Sequence, residues 1–144
     1  FLSQLINYKL VELSMMSSLQ ILLSGVIVGM IVFQAGVVAP VLFKTLSPEQ
    51  AGPFLRAIFP KLFGLVFLLG CAALALSFFG IGGPISIGVF LITAIFMAIC
   101  YLIIPATNSA KDSGDEKTFK KLHSLSVFLT ITILLLNVIW IFLG

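Results

Sequence analysis

The side chains that could do chemistry in an apolar setting are concentrated on the last hydrophobic stretch of this sequence. His123, Ser126, Thr130 and Asn137 lie at offsets of three, seven and fourteen residues, which places them within about 60 degrees of one another on a helix. Polar side chains are costly in hydrocarbon and usually face the interior of a bundle. We therefore predict an interior polar stripe, with Gln34 in the first hydrophobic stretch as its candidate partner.

Two interpretations of this stripe are open. In the functional interpretation, the stripe and Gln34 line an interior that handles a small molecule or a metal ion. In the structural interpretation, the serine and threonine hydroxyls bond to their own helix and Asn137 links two helices, with a gain of about 0.6 to 2 kcal/mol.

His123 is the single histidine of the chain and directly follows the polar stretch that contains Lys120 and Lys121. An imidazole at this edge is a weak candidate for a cofactor ligand, for a proton-responsive group, or for a hydrogen bond to a loop carbonyl or a lipid phosphate. One histidine does not close a metal site, and Cys71 and Cys100 lie in other hydrophobic stretches. We therefore predict no metal site, and no cofactor is favoured.

Signatures of enzymes are absent from the sequence. It has no nucleophile elbow, Walker loop or HExxH motif, and no acidic residue lies within a hydrophobic stretch to serve as a base or proton carrier. The few basic residues come without a base-stacking groove, which argues against a nucleic-acid partner. We expect a protein that is not an enzyme, and proton-coupled transport is disfavoured.

The composition indicates which kind of secondary structure carries the polar stripe. The chain is 60% hydrophobic and 9% charged with a mean hydropathy of +1.25, whereas a soluble domain carries about 25% charged residues. About 20 apolar residues suffice to cross a bilayer. We predict an all-α four-helix transmembrane bundle over residues 15–144, preceded by an amphipathic or disordered segment at 1–14. The predicted spans are about 19–43, 61–79, 85–104 and 122–143.

The connection between the first two spans carries a helix start. Ser47 can cap, Pro48 suits the first helical position, and Gln50 completes a capping box. Pro53 lies too deep in the new helix to be free of cost, so we expect a kink or restart there. The sequence predicts a kinked interfacial helix that turns into the second span near Pro60.

The distribution of basic residues predicts the topology. The connections at 44–60 and 106–121, with Lys61 at the edge, hold seven of the eight Lys and Arg residues, and Lys9 lies on the other side. Positive charge marks the cytoplasmic side. We expect both connections in the cytoplasm and both chain ends outside it, in a membrane for which the compact loops favour the bacterial inner membrane.

One face of the first span carries glycines in place of large side chains. Gly25 and Gly29 form a GxxxG pair, and Gly36 continues the same face, roughly opposite Gln34. We expect this face to pack inside its own bundle, and we keep a dimer seam as the alternative.

Two groups of residues resemble a known family. The first group surrounds the end of the first span and the connection after it, and the second opens the last span. They are Val38, Ala39, Pro40, Val41, Leu42, Phe43, Leu46, Glu49, Ala51, Gly52, Phe59, Pro60 and Phe63, and then Leu122, His123 and Ser126. From about Ser18 to the end, the chain resembles the transmembrane-protein-205-like family of small four-span proteins with a domain of unknown function.

The resemblance implies fold and topology and no activity. That family often carries an asparagine soon after the serine, where this chain has Thr130. A more distant similarity links the chain to four-helix membrane proteins of copper resistance and haem biosynthesis.

Three functional classes follow, in order of preference. The first is a small packing or scaffold subunit, with the lipid bilayer and a homo-oligomer or larger membrane complex as partners. The second is a transporter or permeability factor for a small molecule or a metal ion. The third is a haem- or quinone-handling membrane protein.

Overall fold

The described part of the chain, residues 2–79 and 83–143 of a computed structural model, is built from helices. Four continuous helical segments in it are long and apolar enough to cross a membrane. The prediction of an all-α, four-span membrane protein is confirmed. The elements are α1 (Leu2–Phe33), a π-helical turn (Gln34–Val38), α2 (Ala39–Thr45), α3 (Pro48–Phe78), α4 (Gly83–Leu102), α5 (Ile104–Asp112) and α6 (Glu116–Leu143).

The four long helices form a closed ring of contacts. Helix α1 packs against α3 and α6, and α4 packs against the same two helices. We call the end where α2 meets α3 and α5 meets α6 the charged end, and the end where α6 finishes the terminal end. The larger apolar core, around Ile27, Val66, Met97 and Ile133, is fully buried. A second, smaller core lies nearer the terminal end.

Helices α3 and α4 pack closely at a glycine. A Cβ added to Gly70 would lie 3.0 Å from Thr93 Cγ2 and 3.4 Å from the backbone nitrogen of Ala94. Small residues let helix backbones come together in this way. Gly70 therefore sets the position of Thr93 in the interior.

Proline explains the irregular turn in the first span. Pro40 has no N–H, and its ring would clash with the carbonyl of Gly36 in a regular α-helix. The π-helical turn inserts an extra residue before it, and the N–H of Ala39 bonds to the carbonyl of Gln34. Such single-turn π bulges interrupt a helix without ending it, so α1 and α2 form one continuous span.

Helix α3 begins at Pro48 as predicted. The Ser47 N–H donates to Gln50 Oε1 at 3.2 Å, which is one half of the capping box. The helix then continues through Pro53 and Pro60 to Phe78, so the expected restart at Pro53 does not occur. Both prolines lie near the charged end, where water and headgroups can satisfy the two carbonyls that they leave unpaired.

The second connection is shorter than predicted. We expected a polar loop at 106–121, but α5 occupies Ile104–Asp112 and α6 begins at Glu116. Gly114 ends α5 with a φ of +73°, and Asp115 Oδ1 caps α6 by accepting the Thr118 N–H at 3.0 Å. These are ordinary helix stop and start signals, and they leave only three residues between the helices.

An ion pair joins the two charged connections. The two terminal guanidinium nitrogens of Arg56 in α3 donate to the carboxylate of Asp112 in α5, and within the second connection Lys111 pairs with Glu116 at 3.1 Å. The hydrogen bonds from Arg56 lower the pKa of Asp112. The two connections therefore lie at the same end of the bundle.

The N-terminal segment is a helical extension of the first span. Residues 2–15 are exposed and continue into the span without a break. The connection between the second and third predicted spans falls largely outside the described residues.

Candidate functional site: a buried polar cluster

Polar side chains from all four long helices meet in the terminal half of the bundle. Each of them is 3% exposed or less. We call them the polar cluster, and its members are Gln20, Ser24, Ser77, Thr93 and Asn137.

Asn137 is the centre of the cluster. Its Nδ2 donates to Thr93 Oγ1 at 3.0 Å and to the Ile133 carbonyl at 3.0 Å. Its Oδ1 accepts the Ser24 hydroxyl at 3.1 Å. One amide on α6 therefore links α1 and α4.

Gln20 makes the link from α1 to α3. Its Nε2 donates to the Ala73 carbonyl at 3.2 Å and to Ser77 Oγ at 2.9 Å. The Ser77 hydroxyl in turn donates to the Ala73 carbonyl at 3.1 Å. Every helix of the bundle thus contributes a polar group to the cluster.

Helical spacing positions the α1 members. The buried residues of α1 are Gln20, Ser24, Ile27 and Ile31, which follow the i, i+4, i+7, i+11 pattern of one helical face. The polar half of this face meets Asn137, and the apolar half enters the larger core toward the charged end. The cluster therefore lies on the terminal side of a continuous apolar layer.

Two polar atoms at the cluster have no hydrogen-bond partner among the described residues. One is the acceptor Gln20 Oε1 and the other is the donor Trp140 Nε1. Trp140 is 3% exposed, and its ring lies edge-on to Phe90 with 5.7 Å between centroids. Buried polar groups without a partner are rare and call for an explanation.

The predicted stripe on α6 is only partly internal. Asn137 is fully buried, but Ser126 and Thr130 are half-buried and bond within their own helix, to the carbonyls of His123 at 2.8 Å and of Ser126 at 2.7 Å. A seven-residue spacing drifts by about 20 degrees per repeat around a straight helix. The buried face of α6 follows Leu129, Ile133 and Asn137 instead.

His123 does not lie in the interior. It is exposed at the charged end, and its ring stacks on Phe119 with 5.7 Å between centroids. Lys111 Nζ lies 4.8 Å from the centroid of the same Phe119 ring. Within residues 2–79 and 83–143, no three His, Cys, Asp or Glu side chains come together as a metal site would require.

Gln34 is separate from the polar cluster. It is 8% exposed, and its Nε2 has no partner among the described residues. Gln34 is ten residues beyond Ser24 on the same span, about 15 Å at 1.5 Å per residue. Gln34 was expected to be a partner of the α6 stripe, but the residue of the first span that bonds to Asn137 of this stripe is Ser24.

The glycine face of α1 points away from the bundle. Gly25, Gly29 and Gly36 are exposed, and a Cβ added at any of them meets nothing within 4 Å. The expectation that this face packs inside its own bundle is wrong. The close approach is made by Gly70 of α3 instead.

Four cluster members were absent from the predicted site, namely Gln20, Ser24, Ser77 and Thr93, and so was Trp140 beside them. The signal for two of them is the one-turn spacing of Gln20 and Ser24 on the same face as Ile27. The cluster contains amides and hydroxyls, which exchange hydrogen bonds but do not ionise near neutral pH. It is therefore suited to an uncharged polar group and not to acid–base chemistry.

Comparison with known sequences gives the family. Residues 22–114 match the model of a domain of unknown function, DUF4149. The chain belongs to the DUF4149 family. This DUF4149 protein is also 30% identical over 123 residues to an uncharacterized protein of Aquifex aeolicus (strain VF5), covering 85% of this chain and 92% of the other. No solved structure matches the chain.

The family match covers the three spans before α6 and stops at Gly114. Four members of the polar cluster lie within or beside it, and Asn137 lies beyond it. The relative from Aquifex aeolicus matches over a longer part of the chain. Neither comparison assigns an activity.

Proposed function

We propose that this DUF4149 protein is a packing subunit that associates with a second copy of itself through the outer face of α1. The observation that carries the proposal is the open space at Gly25, Gly29 and Gly36. In lipid, helix association depends on close packing, and small residues allow the backbones to approach. A glycine face turned away from its own bundle is therefore available to another helix.

The residues beside the glycines favour the same partner. Leu22, Val26 and Phe33 are exposed around the GxxxG pair, so glycines alternate with large apolar side chains along the face. This combination lets two helices cross in the right-handed geometry of GxxxG dimers, at about 40 degrees. A second α1 offers the matching surface because a two-fold interface uses the same patch on both subunits.

A transporter is the second candidate, and the packing of the bundle weighs against it. The polar cluster would be its binding site, but Ile27, Val66, Met97 and Ile133 fill the bundle on the side of the charged end. A path through one copy would require these side chains to move. A haem-handling role has less support, since His123 faces outward beside Phe119.

We also propose the bacterial inner membrane as the location, with the charged end in the cytoplasm. The basic residues at this end support that orientation. Single-cysteine variants Lys44→Cys and Lys117→Cys, made with the two native cysteines replaced, should both react with an impermeant thiol reagent only after the membrane is opened. Labelling of either position in intact cells would refute the orientation.

We further propose that the chain is related to the transmembrane-protein-205-like family, on the residues given in the sequence analysis.

The association is tested by substituting Gly29. Gly29→Leu should convert a dimer into a monomer, measured by native mass spectrometry from gentle detergent and by crosslinking in membranes. Gly88→Leu in α4 is the matched control, because a Cβ at Gly88 also meets nothing within 4 Å but lies on another helix. A wild-type protein that is monomeric in the membrane, or a dimer that survives Gly29→Leu, would refute the proposal.

A further inference from the structure

We infer that an outer groove between α3 and α4 binds one anionic phospholipid, with an acyl chain in the groove and the phosphate beside Lys61. Three features support this site: the apolar lining of the groove, its place along α3, and the positive charge on one side of it. The groove is separate from the association proposed for the outer face of α1, because no described residue of α1 lines it.

Small residues create the groove where α3 and α4 pack together. It has a volume of about 400 Å³, within the range of about 300 to 1,000 Å³ that is typical of ligand sites. A Cβ added to Gly64 would lie 3.9 Å from Cε2 of Tyr101 on α4. Six residues line the groove: Gly64, Phe67, Leu68, Ala98, Tyr101 and Leu102. Because Gly64 and Ala98 carry no large side chain, a space that opens to the outside remains between the two helices.

The lining favours a hydrocarbon chain as the occupant. Of the six lining residues, Tyr101 alone has a polar side-chain atom. Leu68 argues against a helix of another protein, because it is 62% exposed and follows Gly64 by one turn, where close helix pairing uses a second small residue. Acyl chains are the flexible apolar groups present at this depth, and one of them can follow the groove.

Lys61 lies on the headgroup side of the groove. It precedes Gly64 by three residues and Leu68 by seven, on the same face of α3. The helix begins at the charged end, so Lys61 is nearer to that end than Gly64 by about 4.5 Å, at 1.5 Å per residue. Helical side chains lean toward the N-terminus of their helix, which directs the exposed Lys61 toward headgroups and water. A phosphate beside this amine therefore has its acyl chain above the groove.

The charge of Lys61 is not neutralised within the described part of the chain. No ion pair found there involves it. Glu49, the acidic residue of the same helix, lies twelve residues away, about 18 Å along the axis. The acidic residues of the second connection are engaged with other groups: Asp112 with Arg56, Asp115 as the cap of α6, and Glu116 with Lys111. The positive charge is therefore available to an anionic headgroup.

The headgroup decides which lipid is bound. An acyl chain is surrounded by apolar groups in the bilayer and in the groove alike, so its transfer brings little hydrophobic gain. One lysine near the membrane surface contributes on the order of a fivefold preference for anionic lipid. We therefore expect phosphatidylglycerol, which has a net negative headgroup, to be preferred to phosphatidylcholine, whose headgroup is neutral overall.

Native mass spectrometry of the protein released from nanodiscs measures this preference. The nanodiscs contain equal amounts of phosphatidylglycerol and phosphatidylcholine with identical chains. The wild type should retain one lipid per copy of the chain, with phosphatidylglycerol enriched about fivefold. The enrichment should disappear in Lys61→Gln and persist in Lys61→Arg, which keeps the charge. Lys117→Gln is the matched control and should keep the enrichment, because Lys117 is also exposed at the charged end but lies on α6.

A second pair of variants tests the groove itself. Gly64→Leu fills it, and retention of either lipid should fall to background. The added Cβ makes only an ordinary contact with Tyr101, so the bundle should stay folded, as circular dichroism would check. Gly52→Leu is the control on the same helix, because a Cβ there meets nothing within 4 Å and Gly52 does not line the groove. Its retention of lipid should equal that of the wild type.

Several results would overturn the inference. A wild type that retains no lipid, or both lipids equally, has no anionic site. Enrichment that survives Lys61→Gln, or that falls equally in Lys117→Gln, would show a general attraction of the charged end instead of a site at Lys61. Unchanged retention in folded Gly64→Leu would exclude the groove as the place of the chain. The Lys61 variants alter only an exposed side chain, so they decide the question even if Gly64→Leu does not fold.

Discussion

Replacing Asn137 by leucine should loosen the bundle by a predictable amount. The change removes two hydrogen bonds between helices, to Ser24 Oγ and to Thr93 Oγ1. Such bonds in membrane proteins contribute about 0.6 kcal/mol on average and up to about 1.7 kcal/mol. The two together predict a loss of about 1 to 3 kcal/mol in the free energy of unfolding.

Two features keep the loss within this range. Leucine has the same number and branching of side-chain heavy atoms as asparagine and has no polar group to bury. The Thr93 hydroxyl keeps its bond to the Val89 carbonyl, and the freed Ser24 hydroxyl can turn to a carbonyl of its own helix. The larger cost of an orphaned buried donor is therefore avoided.

A double-mutant cycle isolates the direct contact. Ser24→Ala, Asn137→Leu and the double variant, unfolded reversibly in bicelles, should give a coupling of about 0.6 to 1.7 kcal/mol. Thr132→Leu is the control on the same helix, because the Thr132 hydroxyl bonds only to the Phe128 carbonyl. A coupling of zero, or an equal loss in Thr132→Leu, would refute the role of Asn137 as a link between helices.

Two other predictions test the close packing of α3 against α4 and the ion pair at the charged end. Gly70→Leu should destabilise the fold by about 1 to 3 kcal/mol through overpacking against α4. Gly88→Leu should be tolerated, because an added side chain there enters open space. Equal thermal stabilities of the two variants would contradict the close packing at Gly70. The pKa of Asp112 is lowered by hydrogen bonds from Arg56, so the contact is fully present above the usual carboxyl pKa and is lost as the pH falls through the lowered one. Protection of residues 48–56 against hydrogen exchange, corrected for the intrinsic exchange rate at each pH, should fall on acidification and in Arg56→Asp, and the reversed pair with Asp112→Arg should restore it at neutral pH. Equal protection in wild type and Arg56→Asp at neutral pH would argue against the pair.

Local signals in the sequence were sufficient for part of the fold. The four apolar stretches predicted the spans, and the side chains of Ser47 and Gln50 predicted where α3 begins, because capping depends on neighbouring residues. Helix α5 was missed although Gly114 and Asp115 are equally local stop and start signals. The polar composition of the segment concealed them, since polarity describes the surroundings of a helix and not whether it forms.

The site was harder to predict because it depends on which helix faces meet. The seven-residue spacing on α6 selected Asn137, which is buried in the structure. It also selected His123, which is exposed because a seven-residue repeat drifts around a straight helix. Ser24 and Thr93 are common residue types in membrane spans. Only the packing of three helices around Asn137 shows that their hydroxyls bond to a residue of another helix.

Helix α1 shows how the interior face of a span is selected. One of its faces carries Gln20 and Ser24, and another carries Gly25 and Gly29, so either could have been expected to meet the bundle. Glycine leaves no unpaired side-chain group when it faces lipid, whereas each unpaired polar group in hydrocarbon costs several kcal/mol. The polar face therefore turns inward to Asn137, and the glycine face is left on the outside of the bundle.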